Sequence, residues 1–356
     1  DLANAVALYQ LDLSNNTLRN LDVLSTMVTL KQIDLRHNAV TSLAALSSLT
    51  ELESLDISFN AVTSLSPLTA CGKLTWLDAG NNKLATVSGV DNLPALNYLS
   101  VEYNSLTDVS PLAACTSLTE LDLSSFDTSQ VTDMGGMFSG CANLKSLNVS
   151  SFDTSKVRDM AYMFYLCNNL GEIKGLNTLR TGNVTNMLGM FSYCYPLETL
   201  DIGGFDTSKV TNMQYMFLGN RNLKSLPIAN WNTASLQNMQ EMFTGCEALT
   251  SIDISRWNTS KVANMMGTFS GCKSLTSMSL RGLDVSNVTT MRRMFLNCSG
   301  IQSIDMGGLN TGNVTDMSEM FQTNANLRQI DVSGMNTSSV TNMGGIFSST
   351  GHNAAT

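Results

Sequence analysis

Six leucines, Leu8, Leu30, Leu52, Leu74, Leu96 and Leu118, stand 22 residues apart without exception. Self-similarity at a fixed period of this length marks a stacked repeat. One short unit cannot bury its own apolar face and gains a core only against its neighbours. Each leucine opens an LxxLxL block, as in LKQIDLRHN at 30 and LESLDISFN at 52. Ile33 and Leu35 alternate with Gln32, Asp34 and Arg36, the period-two pattern of a short strand with one buried face. Asn16, Asn38, Asn60, Asn82 and Asn104 then recur at one position, which predicts a column of asparagines bonded to turn backbone.

From Leu118 the period lengthens to 26, through Leu144, Leu170, Leu197, Leu223, Leu249, Leu275, Ile301 and Leu327, with one extra residue between Leu170 and Leu197. The strand block persists, and the returning segment reads FDTSQVTDMGGMFSGC at 126 and FDTSKVTNMQYMFLGN at 205, in nine copies that end at Phe347. Met134, Met137, Phe138 and Cys141 fall at helical spacing, which predicts a short helix with all four on one face. The expected fold is an α/β leucine-rich-repeat solenoid. A parallel sheet forms its concave side, and its convex side carries irregular turns in the N-terminal part and short helices in the C-terminal part. Residues 1–117 form the 22-residue block and 118–350 the 26-residue block, continuous with it, with a tail at 351–356. Because both blocks share one strand phase, no break is expected at residue 118.

Composition narrows the function. Of 356 residues 43% are hydrophobic, the net charge is −9 and the pI is near 4.7. Nucleic acid is excluded as a partner on this reading, because phosphate binding needs a basic stripe. No run of about 18 apolar residues occurs, so this chain inserts into no membrane, and a secretion signal or anchor is expected outside it. A serine elbow, a phosphate loop and an HExxH motif are absent from the sequence, and His37 and His352 are its only histidines. Neither catalysis, a metal nor a cofactor is expected.

The FDTSxVTxMxxMFxxCxxLxxL unit resembles the repeat of BspA-like bacterial leucine-rich-repeat surface proteins and lipoproteins, over about residues 118–350. The 22-residue block resembles internalin-type repeats more broadly. These resemblances imply a secreted or cell-surface adhesion module; its ligand is expected to be a protein or glycan on the concave face, and the chain is expected to be a monomer. An intracellular scaffold or regulatory subunit is the alternative, and an ice- or cation-binding solenoid a distant one.

Repeat position also assigns the unusual residues. Cys71, Cys115, Cys141, Cys167, Cys194, Cys246, Cys272 and Cys298 all stand three residues before a leading Leu or Ile. They are expected as one column of buried thiols, too far apart to bridge if helices pack about 8–10 Å apart. Most of the 21 methionines occupy core positions of the repeat. Thr128, Thr154, Thr181, Thr207, Thr233, Thr259, Thr311 and Thr337 form a polar column beside Asp or Asn in most copies, expected as turn chemistry.

Two sets of residues are candidates for binding. Trp76 and Tyr98 share one outward strand position in consecutive repeats, and His37, Phe59 and Tyr103 share the position just before the asparagines, with Arg36 and Glu102 beside them. Exposed neighbouring aromatics of this kind favour partner binding. The second set is an acidic column, Asp12, Asp34, Asp56, Asp78 and Asp122, projecting from mid-strand. Strands about 4.8 Å apart put neighbouring carboxylates in mutual repulsion of about 1 kcal/mol in water.

Overall fold

The computed structural model describes residues 7–106, 110–123 and 128–350. The tail at 351–356 lies outside this set, as do the side chains of Ser110, Ala113 and Asp122. The chain divides into two compact units: unit 1 takes in residues 1–156 and 166–179, and unit 2 residues 157–165 and 180–356.

In unit 1, β1 (Gln10–Asp12), β2 (Gln32–Asp34), β3 (Ser54–Asp56), β4 (Trp76–Asp78), β5 (Tyr98–Ser100) and β6 (Glu120–Asp122) form one parallel sheet in chain order. The register advances by one repeat at each step, Leu11 on Ile33, Ile33 on Leu55, Leu55 on Leu77 and Leu77 on Leu99. β6, the first strand after the period lengthens, pairs with β5. A second parallel pair joins β7 (Ser146–Asn148) to β8 (Glu172–Lys174). Every inward strand residue is spaced so that its neighbours above and below are apolar, and Leu55, Leu77 and Leu99 are wholly buried.

The asparagine column clamps successive coils together. Asn60 Nδ2 donates to the Leu35 carbonyl of the preceding coil at 2.9 Å and to its own coil at Ile57 at 3.0 Å. Its Oδ1 accepts the Val40 N–H at 2.9 Å. Asn38, Asn82 and Asn104 repeat this arrangement. Buried backbone groups that no strand reaches are thereby paired.

The backs of the coils reverse the sequence expectation. 3-10 helices lie on the 22-residue repeats, at Asp22–Thr26, Ala44–Leu46, Ser66–Ala70, Val90–Asn92 and Ser110–Ala114. One more, Leu176–Thr178, follows Gly175 (φ 82°) and takes up the extra residue of its coil. Among the described residues the Met-Phe segments form no helix and are runs of turns. Each carries two left-handed residues four apart, as at Tyr215 (φ 60°) with Gly219 (φ 77°) and Arg293 (φ 56°) with Asn297 (φ 57°). A right-handed helix cannot pass through them. The first closes a turn in which the Met216 N–H donates to Met213. Alternate N–H groups reach the next coil, Tyr215 to Gln240 and Phe217 to Met242. The i, i+3, i+4 spacing was therefore a turn period shared with the helical one.

Unit 2 carries β9 (Ser277–Ser279), β10 (Ser303–Asp305) and β11 (Gln329–Asp331) as a parallel sheet. On a second side of its coils runs a ladder of single parallel bridges through Asp159, Asn186, Asn212, Asn238, Asn264, Thr290, Asp316 and Asn342. Strand-like stacking of whole coils brings like residues together, so Phe191, Phe217, Phe243, Phe269, Phe295 and Phe321 stack at ring spacings from 5.4 to 6.1 Å.

That spacing removes the helix-distance argument about the cysteines. Coils this close leave room for a bridge, yet the cysteines are free and buried. In unit 2 the thiols turn to backbone, as where Cys246 Sγ donates to the Phe217 carbonyl at 3.2 Å and Cys298 Sγ to Phe269 at 3.0 Å. The threonine column is also buried apart from Thr337 in the last described coil. Thr207 Oγ1 donates to the Asn232 carbonyl at 2.9 Å, and Thr233 to Asn258 at 3.0 Å. Hydroxyls spent on the next coil cannot order surface water, which sets aside the ice-binding alternative.

Candidate functional site

The acidic residues have a local cause. Asp12, Asp34, Asp56 and Asp78 each accept, through Oδ1, the backbone N–H two residues on, at Ser14, Arg36, Ser58 and Gly80. This Asx turn ends the strand, which gives most coils a conformational reason for Asp or Asn there. In unit 2 the same turn recurs at three places in a coil, for example at Asp253, Asn258 and Asn264. In unit 1 the turn engages Oδ1 and leaves the second carboxylate oxygen out of that bond. Arg36 Nε takes up that of Asp34 at 3.1 Å. Burial pushes Asp34 and Asp78 above the ordinary carboxylate range, and Asp56 adds to both. Asp12, held by the Ser14 N–H, lies below it. The side chain of Asp122 lies outside the described residues.

On the same sheet face, register places Trp76 of β4 opposite Tyr98 of β5. Their rings stack at 5.1 Å with planes 7° apart. Trp76 closes one end of a cleft of about 210 Å³ floored by Asp12, Asp34, Asp56, Gln10, Gln32 and Ser54. An aromatic wall thus meets a floor of hydrogen-bond acceptors and amides, an arrangement suited to holding a polar ligand by its apolar side.

The other aromatics form a second group. His37 and Phe59 stack at 4.2 Å, and both hold left-handed backbone, φ 52° and 53°. Tyr103 has the same conformation at φ 48° but stands beyond the intervening Asn81. Phe59 is 47% and Tyr103 58% exposed. Bulky side chains rarely adopt this region, where Asn15 and Asn81 serve equally well in neighbouring coils. Arg36 is held by Asp34, and Glu102 Oε1 accepts Asn81 Nδ2 at 3.5 Å. The structure therefore assembles two aromatic pairs, Trp76 with Tyr98 and His37 with Phe59. Among the described residues no three His, Cys, Asp or Glu side chains converge as metal ligands.

One group of aromatics escaped the sequence reading altogether. Tyr162, Tyr165, Tyr193, Tyr195 and Tyr215 lie on the Met-Phe turns of unit 2, the first four linked edge to face at 5.2, 6.0 and 6.1 Å. Setting AYMFYLC, SYCYPL and QYMFLGN in register would have revealed it, because the tyrosines fill positions that other copies give to Gly, Ser or charged residues.

Comparison with known families fits this architecture. Residues 107–199, 185–303 and 276–354 match a family described as Mycoplasma protein of unknown function, DUF285. These spans take in more than half of the chain. The chain belongs to the DUF285 family. In this DUF285 chain the match covers the repeats that resemble the BspA-like family, and residues 28–70 match a model of two leucine-rich repeats.

No curated protein matches the chain. Among solved structures, an internalin, InlF, from Listeria monocytogenes is 16% identical, covering 93% of this chain and 89% of its own, with a TM-score of 0.43. A leucine-rich-repeat protein of Leptospira interrogans is also 16% identical, covering 96% and 85%, with a TM-score of 0.41. The functional domain of InlJ from Listeria monocytogenes, described as including a cysteine ladder, is 19% identical over 93% and 64%, with a TM-score of 0.36. A DUF285 chain built as a leucine-rich-repeat solenoid is consistent with a protein-binding repeat module, a class that typically serves as a non-catalytic scaffold. No helix among the described residues is long and apolar enough to cross a membrane.

Proposed function

We propose that this chain is a non-catalytic adhesion module of a bacterial cell-surface or secreted protein, monomeric, which takes a protein or glycan on the exposed sheet face of unit 1. One observation carries the reading: Trp76 and Tyr98 stack at outward positions of β4 and β5, beside the cleft, where the preceding strands carry Gln10, Gln32 and Ser54. The inner face of the sheet already supplies the core, so the solenoid does not require these rings. The ligand lies along β1–β3 with its apolar side on Trp76 and its donors on Asp12, Asp34 and Asp56. The BspA-like resemblance supplies the surface location.

The test is binding of the whole chain, wild type against Trp76→Ala with Tyr98→Ala, to intact host cells and extracted matrix. Binding that falls about tenfold or more while the fold persists supports the reading. Equal binding by the double variant sets the patch aside. An intracellular scaffold is favoured by the eight free thiols, which a reducing compartment preserves. Protease treatment of whole producing cells separates the two: a surface module is removed, a scaffold is not.

A further inference from the structure

Five of the eight tyrosines, Tyr162, Tyr165, Tyr193, Tyr195 and Tyr215, lie half-buried in one patch of unit 2. Three of them hold left-handed backbone, at φ 57° for Tyr162 and 60° for Tyr193 and Tyr215. Large side chains are uncommon in this region. In other copies the same two left-handed positions carry glycine, as at Gly189, Gly219, Gly245 and Gly267, or residues such as Glu241, Arg293 and Asn297. The left-handed backbone therefore belongs to the coil and does not require tyrosine, and the core beneath the rings is complete without them, with Met163, Phe164, Met190 and Phe191 wholly buried.

The glycines of the next coil shape the patch. A Cβ added at Gly189 would stand 2.5 Å from the Tyr162 ring, and one at Gly219 would stand 2.5 Å from the Tyr193 ring. Each ring therefore rests against backbone that only glycine leaves clear. Charge at the patch is balanced and largely engaged: the Arg221 guanidinium lies 4.3 Å over the Tyr195 ring, and Glu241 faces Gln240 Nε2 at 3.5 Å. The remaining polar atoms are phenols and carboxamides, with Gln240 Nε2 donating to Tyr215 Oη at 3.0 Å. Burial raises the phenols of Tyr162 and Tyr193 above their ordinary value.

We propose that this tyrosine patch is a second binding site, independent of the unit 1 face, and that it takes a neutral polysaccharide. Rings seated on glycine offer flat apolar platforms to the C–H faces of pyranose rings, and the phenol and amide groups meet their hydroxyls. A protein partner would anchor a side chain in a desolvated pocket. A patch of balanced charge selects neither polyanion nor polycation.

The experiment is depletion of the full 356-residue chain from solution by insoluble cellulose, chitin and β-1,3-glucan, in low salt and in about 0.5 M NaCl, conditions that screen charge. The comparison is Tyr162→Gly with Tyr193→Gly, substitutions toward the residue that other coils carry. Retention on at least one polysaccharide, insensitive to salt and reduced about tenfold or more in the variant, is the expected result. The variant's thermal midpoint is expected within a few degrees of wild type, since relief of strain offsets lost contact. Retention on none of the three, salt-sensitive retention, or equal retention by the variant overturns the proposal. So does a collapse of the variant's thermal midpoint, which would make the rings structural.

Discussion

Asn60 holds three strands of backbone at once: its carboxamide meets the Leu35 and Ile57 carbonyls and the Val40 N–H, all within 3.0 Å. Asn38, Asn82 and Asn104 do the same in their coils, and the column joins consecutive coils whose strands are only three residues long.

Replacing Asn60 by Ala leaves those backbone groups unpaired in the interior. Each such loss costs about 1–3 kcal/mol, so a total of about 3 kcal/mol is expected from urea unfolding. Asn60→Asp keeps the acceptor, forfeits the donor and places a charge against carbonyls, and is expected to be no milder. A cost under about 0.5 kcal/mol, the range of an ordinary surface change, would refute the clamp.

The Asx turns make a different prediction. Asp206→Asn preserves the acceptor for the Ser208 N–H, which Asp206 Oδ1 takes at 3.0 Å, whereas Asp206→Ala removes it. The first is expected to be near neutral and the second to cost about 1 kcal/mol.

Acidity follows from the same bonds. Asp206 lies below the ordinary carboxylate range because the Ser208 hydroxyl and N–H favour its charged form. A folded-state carboxyl so depressed contributes stability above the unfolded pKa of about 4, and this is lost as pH falls through the lower folded value. Asp12, Asp253, Asp305 and Asp331 shift the same way. Urea midpoints are expected to hold from about pH 7 to pH 5 and to fall below about pH 4. An unchanged midpoint there would deny the turns their charge preference.

At alkaline pH the cysteines set the limit. Burial pushes Cys71 up to about 11 and Cys115, Cys141, Cys246 and Cys298 to about 12. Thiols raised in the folded state stabilise it fully below the unfolded value of about 9, and that contribution drains away as pH rises toward 12. Native protein is expected to react slowly with a thiol reagent at neutral pH and to reveal eight thiols on denaturation. Fewer than eight after denaturation, without reductant, would mean that neighbouring coils bridge.

Much of this was legible because repetition makes sequence spacing into spatial position. The 22-residue leucine interval fixed the register of β1–β6, and the asparagine column announced its own bonds. The Met-Phe segment misled because a turn closed by a left-handed residue also returns its chain every three to four residues. Nothing in Met213, Met216 and Phe217 distinguishes the two, whereas the glycines at positions such as Gly245 and Gly271 carried the missing signal. Trp76 and Tyr98 were placed on one face by strand alternation alone. The tyrosine patch was not, because Tyr162 and Tyr193 sit at different positions within their copies and are joined through Tyr165, whose ring meets Tyr193 of the next coil.

Hydroxyl-radical footprinting of the chain with and without bound matrix ligand tests the sheet face of unit 1 directly. Trp76 and Tyr98 are expected to lose most of their oxidation on binding, with Phe59 and Tyr103 unchanged or partly shielded. Undiminished oxidation of Trp76 and Tyr98 in a saturated complex would contradict the assignment.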